Sequence, residues 1–176
     1  YKVVVITYQG QYFIYLKPVE STFFQLPWNE EVGRYFCDIY SYDGEVECKL
    51  SPRYLLKKVI GKSREMGYKP KASVELEFFL LNQKDELGYF SNTIEDRIGA
   101  RIRRMMIKAL NSRGIETSYD HHEVARSQHE INLNVRDALE MADNLASAKY
   151  IMKGIAEMEH LGLTFMPKPF FGTYGT

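Results

Sequence analysis

Residues 73–81 read SVELEFFLL, and this stretch decides the fold of the chain. Residues two apart on a β-strand point to the same face, so its alternate leucine and phenylalanine side chains predict one buried face. Glu75 and Glu77 then project together from the other face, about 6–7 Å apart. Two carboxylates at that distance repel each other unless a cation lies beside them. The pattern predicts a strand whose acidic face is either solvated or part of a metal site.

Strand and helix patterns follow one another on both sides of this stretch. Segments rich in β-branched and aromatic residues predict strands, and apolar residues at helical spacing predict helices. The predicted strands are residues 3–7, 12–16, 22–26, 34–40, 73–81, 115–119, 130–135 and 163–166, and the predicted helices are 52–66, 94–110 and 137–161. Ser51 and Pro52 predict the start of the first helix. Gly67 and Gly162 are predicted to end the first and last helices.

Composition excludes several classes of protein. The 176 residues suffice for one domain, or one domain with a small appendage. Lysine plus arginine equals aspartate plus glutamate at 23 each, which argues against nucleic acid or an acidic membrane as a partner. The arginines at 101, 103 and 104 are therefore interpreted as a solvated helix face. The longest apolar runs are too short to span a bilayer, and Cys37 and Cys48 are expected to be reduced thiols of a cytoplasmic protein.

A second acidic cluster lies at residues 121–130, which read HHEVARSQHE. Histidine and glutamate can bind zinc, but no His-Glu-x-x-His spacing or cysteine pair supports a zinc site here. The alternative without a metal is a capped turn with hydrogen-bonded core histidines. Four glutamates in two clusters favour the oxygen-binding cations Mg²⁺ or Mn²⁺. The predicted metal ligands are Glu75, Glu77, Glu123 and Glu130.

Taken in order, these motifs resemble the glutamine synthetase family over roughly residues 15–176. The resemblance implies an α+β fold, with a mostly antiparallel sheet, packed helices and a small N-terminal β portion. It implies that residues 1–50 are the remnant of an N-terminal β-grasp-like domain and that residues 51–176 are the first half of a catalytic domain. The matching segments are 74–80 (VELEFFL), 121–125 (HHEVA), 128–131 (QHEI), 137–144 (DALEMADN) and 164–172 (TFMPKPFFG).

Membership of this family implies an ATP-dependent ligase that joins ammonia to the side-chain carboxylate of glutamate through a γ-glutamyl phosphate. Two Mg²⁺ or Mn²⁺ ions and assembly into a homo-oligomer are implied as well. By motif, Glu77, Glu123 and Glu130 would hold one cation, and Glu75 would contribute to the other. The residues expected at the nucleotide are Ser118, Leu133, Asn134 and Val135, and those expected at the glutamate are Tyr174 and Gly175. No catalytic residue is assigned.

Several positions depart from the family pattern. Residues 125–127 read Ala-Arg-Ser where the family usually has Ala-Pro-Gly, and Tyr174 stands where Asn or another small residue is common. Ser118 replaces a frequent glutamate, and Val135 replaces a usual aromatic residue. The family's remaining cation and phosphate ligands are expected beyond Thr176. A γ-glutamyl ligase that uses another amine, a catalytically silent relative with an assembly or regulatory role, and a metal-dependent hydrolase are the alternatives.

Overall fold

The computed structural model describes residues 2–7, 10–41, 45–81 and 97–175. These residues form three α-helices and nine β-strands, which confirms the α+β class. The strands are β1 (Lys2–Thr7), β2 (Gly10–Pro18), β3 (Phe24–Leu26), β4 (Asn29–Arg34), β5 (Cys37–Tyr40), β6 (Lys71–Leu81), β7 (Thr117–His122), β8 (Gln128–Asp137) and β9 (Gly162–Thr164), and the helices are α1 (Pro52–Glu65), α2 (Arg97–Asn111) and α3 (Ala138–Met158). In this part of the chain, none of the helices combines the length and the apolar character needed to cross a membrane.

The chain divides into two compact units, of which the first comprises Tyr1–Lys71 and Asp137–Asp143. It contains a three-stranded antiparallel sheet in the order β1-β2-β5, the antiparallel pair β3-β4, and α1. Arg53 of α1 donates two hydrogen bonds to the carboxylate of Asp143, at 3.0 and 2.9 Å, and a third to Asp38 of β5. The bidentate pairing with Asp143 joins α1 to the first turns of α3. The bond to Asp38 joins α1 to the sheet.

The second unit comprises Ala72–Arg136 and Asn144–Thr176. Its sheet has the order β7-β8-β6-β9, so β6, which carries Glu75 and Glu77, lies inside the sheet. Leu76, Phe78 and Leu80 are buried as their alternation predicts. Helix α2 packs against β7. The predicted domain boundary at residue 50 stays a prediction.

Phe79 is more buried than its place on the acidic face of β6 suggests. It is completely buried, because the C-terminal tail returns over this end of the strand. Strand β9 pairs with β6 through Thr164 and Phe79, and the ring of Phe170 lies edge-on to that of Phe79 with 5.9 Å between centroids. The tail therefore covers the apolar end of this face, and the glutamates occupy the rest.

The predicted strand at residues 34–40 is confirmed only for Cys37–Tyr40, which form β5. Residues 35 and 36 belong to neither strand, so β4 ends at Arg34 and β5 begins at Cys37. β4 was missed because its side chains are almost all exposed and show no apolar alternation. The predicted start of the second helix at residue 94 lies outside the described residues.

The two predicted glycine caps have different outcomes. Gly67 ends α1 in a left-handed conformation, with φ +85°, and Tyr68 N–H donates to Ser63. Gly162 does not cap α3, because it already belongs to β9. His160 takes that role with φ +57°, and Leu161 N–H donates to the carbonyl of Ala156. The same C-terminal motif is thus built once with glycine and once with a residue that is strained there.

Exchanging these two caps is expected to change stability in opposite directions. His160→Gly should raise the free energy of unfolding by about 0.5–1 kcal/mol, and Gly67→Ala should lower it by about 1 kcal/mol, because a Cβ penalises the left-handed region. A Cβ at Gly67 meets nothing within 4 Å, so its cost would be conformational only. Urea unfolding of both variants measures the difference. Equal effects of the same sign would contradict the cap assignment.

Candidate metal centre

The pairing of β7 with β8 separates the histidine and glutamate cluster onto two faces of the sheet. His121 lies directly opposite Glu130, and His122 lies directly opposite His129. Because side chains directly opposite each other share a face and consecutive residues alternate, the first pair and the second pair point to opposite sides. The sequence cluster is therefore two structural clusters, placed front and back on one pair of strands.

The front cluster consists of His121, Glu123 and Glu130. Each offers one potential ligand atom, and these atoms all lie within 4.8 Å of one another. His121 Nε2 is 2.6 Å from Glu123 Oε1, with about a third of the imidazole exposed. Glu130 is only 6% exposed. This arrangement of two carboxylates and one imidazole is a suitable donor set for a divalent cation.

The charge around Glu130 is incompletely compensated. Burial raises the pKa of Glu130, and the nearby carboxylates of Glu123 and Glu75 raise it further. A hydrogen bond from Asn132 Nδ2 to Glu130 Oε1, at 2.5 Å, and the proximity of His121 act in the other direction. A buried carboxylate with carboxylate neighbours is costly without a cation, so the residues present fit a divalent metal ion.

The two glutamates of β6 have different surroundings. Glu77 is half-buried, and its Oε2 accepts a hydrogen bond from Gln128 Nε2 at 2.5 Å. Glu75 is exposed, yet it is close enough to Glu130 to raise the pKa of that carboxyl group. The four predicted glutamates therefore lie around the front face of the sheet. Of these, Glu123 and Glu130, together with His121, form the tight group of ligand atoms.

The back cluster overturns the interpretation of Arg103 as a solvated residue. Arg103 is 2% exposed and donates to Asp120 Oδ2 at 2.6 Å and to His129 Nδ1 at 2.8 Å. His129 must then accept at Nδ1, so it is neutral with its proton on Nε2. Burial lowers the pKa of His129 well below its ordinary value, and the charges of His122 and Arg103 lower it further.

Sequence reasoning missed Arg103 because a helix with five basic residues is expected to expose every charged side chain to solvent. The period of the helix carried the missing signal, since Arg103 lies next to the buried Ile102 and one turn before the buried Met106. Arg101 and Arg104 are exposed, as predicted. His121 was also left out of the predicted ligand set, and only its pairing with Glu130 reveals its place.

The residues expected at a nucleotide lie farther along the same two strands. Ser118 is exposed on β7 beside the pairing of Thr117 with Leu133. Leu133 is buried, so only its backbone could meet a ligand on the front face. Asn134 shares the face of Glu130, four residues or about 13 Å along β8, and its side chain donates to Glu116 Oε2 at 3.4 Å. Val135 is exposed.

The residues expected at glutamate lie in the C-terminal tail. Tyr174 is 70% exposed. Gly175 approaches the chain so closely that a Cβ there would lie 2.3 Å from the carbonyl oxygen of Pro167. Packing therefore requires glycine at residue 175, independently of any role at glutamate.

The departure at residues 125–127 has a backbone explanation. Ser127 has φ +59°, in the left-handed region that glycine adopts without strain. Its carbonyl oxygen accepts a hydrogen bond from Leu80 N–H of β6 at 2.9 Å, where the chain enters β8. Serine thus occupies a turn conformation that suits the glycine usual in the family.

The front face carries its acidic cluster on β6, β7 and β8 and the residue after β7, an arrangement of ligand atoms that could hold a divalent cation. The sequence profile of the glutamine synthetase catalytic domain matches residues 49–176. The chain belongs to the glutamine synthetase family, a family of ligases. It is 39% identical to the glutamine synthetase of Thermotoga maritima, in an alignment that covers 93% of this chain and 40% of that protein.

Solved structures show the same relationship. The protein in the structure titled "GmaS/ADP complex-Conformation 1" is 30% identical, with a TM-score of 0.76 over 93% of this chain and 40% of that one. A structure titled "Crystal structure of novel glutamine synthase homolog" has a TM-score of 0.80 at 21% identity, over 93% of this chain and 39% of that one, and is similar in fold alone. The chain spans about 40% of the length of the curated relatives it matches.

Proposed function

We propose that this chain contributes to an ATP-dependent ligase that joins ammonia to the γ-carboxylate of glutamate, and that its part is a divalent-cation site on the front face of the sheet. The observation that carries the proposal is the grouping of His121, Glu123 and Glu130 beside Glu75, in a family of ligases. The reaction is proposed from family membership, and the cation is proposed from the donor set.

Mg²⁺ or Mn²⁺ is the proposed cation, held by Glu123, Glu130 and His121, with Glu77 and Glu75 at the border of the site. Carboxylate oxygens suit these hard cations, and a single imidazole is compatible with Mn²⁺. When bound, the cation would neutralise phosphate charge during phosphoryl transfer. The chain's own contribution is to hold the carboxylates on one rigid face. Gln128, by donating to Glu77, orients that carboxylate.

ATP is the proposed co-substrate, at the strand ends that carry Ser118 and residues 133–135. The structure of GmaS in complex with ADP, a relative 30% identical to this chain, supports a nucleotide. Because Leu133 is buried, its contribution would be its backbone groups. Tyr174 and Gly175 are proposed to lie near glutamate. A homo-oligomer is proposed from the family. A cytoplasmic location is proposed from the two free cysteines.

Product release by the full-length protein tests the proposed reaction. ADP is expected to form from ATP and Mg²⁺ only when both glutamate and ammonium are present, with about one phosphate released per ADP. The reason is that ammonia must displace the phosphate from the activated γ-carboxylate for turnover. A coupled spectrophotometric assay measures ADP, and mass spectrometry identifies glutamine.

Each alternative predicts its own result in this assay. ADP formation without glutamate would indicate a hydrolase, and turnover with methylamine or a polyamine but not with ammonium would indicate another γ-glutamyl ligase. No ADP under any condition, from protein that binds Mn²⁺ and ATP, would indicate a silent relative. Glu77→Gln is the variant to compare with wild type in this assay. It keeps the size of the side chain and removes only the negative charge of the carboxylate that accepts a hydrogen bond from Gln128.

A further inference from the structure

Arg103 lies at the centre of the buried polar cluster behind the candidate metal centre. It comes from α2, and its planar guanidinium donates to two strands at once. Nε bonds Asp120 on β7, and Nη1 bonds His129 on β8. Because the five donors of a guanidinium have fixed directions, these two bonds fix the spacing of their acceptors in a way that a flexible ammonium cannot.

The two residues held by Arg103 are the chain neighbours of the two facing ligands. Asp120 directly precedes His121, and His129 directly precedes Glu130. His121 and Glu130 are cross-strand partners. Consecutive strand residues point to opposite faces, so a restraint on Asp120 and His129 behind the sheet also restrains His121 and Glu130 in front.

We propose that Arg103 is a positioning residue for the candidate metal centre, which sets the separation of His121 and Glu130 by holding Asp120 and His129 from the other side of the sheet. This inference rests on the proposed function for its purpose, since the positioned atoms are the proposed cation ligands.

Packing around His129 makes the restraint rigid. The imidazole is completely buried, with the ring of Phe78 at 5.6 Å and the ring of His122 at 4.7 Å between centroids. His122 in turn is anchored, since its Nδ1 donates to the carbonyl oxygen of Glu123 at 2.6 Å. Through this contact the back cluster also reaches the third proposed ligand. Movement of His129 would therefore be transmitted to both strands.

Arg103→Lys is the decisive variant, because it keeps the buried charge beside Asp120 and removes the forked geometry. Arg104→Lys is its matched control on the same helix, at an exposed position. Ile102→Val controls for a loss of stability, because it trims a fully buried neighbour in α2 that is not part of the polar cluster. Mn²⁺ affinity is measured by calorimetry on the full-length protein. Amide hydrogen exchange is measured on the metal-free protein under the same conditions.

Arg103→Lys is expected to weaken Mn²⁺ binding about tenfold, the scale of a lost outer-shell partner. Exchange at residues 120–123 and 128–131 should be about tenfold faster than in wild type, with α3 unchanged. Arg104→Lys should match wild type in both measurements. Ile102→Val should leave the Mn²⁺ affinity of the folded protein unchanged.

Two results would overturn the inference: wild-type affinity and exchange in Arg103→Lys, or an equal loss of affinity in Ile102→Val, which would make the role of Arg103 merely structural. The proposed function fails separately, if wild-type protein binds no Mn²⁺. In that case the exchange measurement alone decides whether Arg103 positions the two strands. Selective acceleration at residues 120–123 and 128–131 would support it, and uniform acceleration would refute it.

Discussion

Glu130→Gln is expected to weaken Mn²⁺ binding by about 100-fold or more, since loss of a ligand should exceed the 10–100-fold effect of an outer-shell partner. The same change should stabilise the metal-free protein by about 1 kcal/mol, because it removes a buried charge. Burial, with Glu123 and Glu75 nearby, raises the pKa of Glu130, so the folded state prefers its neutral form. That preference stabilises the fold below the ordinary pKa of a glutamate and is lost as pH rises through the raised value. Above that raised value, only the cost of the buried charge remains.

Opposite signs for affinity and stability distinguish a cation site from a structural carboxylate. Calorimetric titration gives the affinity, and urea unfolding in the presence of a chelator gives the stability. Glu157→Gln is the control, because it makes the same chemical change at an exposed position of α3. If Glu130→Gln bound Mn²⁺ like wild type, or lost stability without metal, the assignment of Glu130 as a ligand would be wrong.

Phe78→Ala is expected to lower the free energy of unfolding by about 3–5 kcal/mol, the range for a deleted core phenylalanine. Phe78 is completely buried on the back face of the sheet. Its ring centroid lies 5.6 Å from that of His129 and 6.4 Å from that of Phe165. Its loss removes apolar contacts and leaves a cavity beside His129. Because His129 belongs to the back cluster, Mn²⁺ affinity should also fall.

The matched control for this variant is Phe171→Ala, since Phe171 is fully exposed in the tail. Its effect on the free energy of unfolding should stay within about 0.5 kcal/mol, as for other surface substitutions. Denaturant unfolding of the metal-free protein measures both variants. A similar loss in both would contradict the placement of Phe78 in the core.

Much of the fold was predictable because its main elements have strong periodic patterns. The alternation of residues 73–81 gave the buried face of β6, and a serine–proline pair gave the start of α1, where Ser51 accepts a hydrogen bond from Tyr54 N–H. What failed were features without such a pattern. β4 has no apolar alternation, and His160 occupies a position where glycine is expected.

The candidate site was predictable in its residue types but not in its grouping. The first acidic cluster could be identified because carboxylates two apart on a strand share a face, and the second because histidines and glutamates are concentrated in residues 121–130. Strand register could not be read from the sequence, so nothing indicated that His121 would lie opposite Glu130. Tertiary contact also decided the place of Arg103, since its two acceptors come from strands that follow α2 in the chain.

The alternation along β8 limits which length changes this region can accept. His129 and Glu130 are adjacent and serve opposite faces, so one extra or missing residue just before them would exchange their sides relative to β7. The carboxylate of Glu130 would then lie on the face that α2 covers. The imidazole of His129 would lie on the front face, where a ligand oxygen is proposed. A two-residue change would preserve the sides and only displace the pairing. Among natural and engineered variants of this strand, tolerated insertions and deletions should therefore come in even numbers.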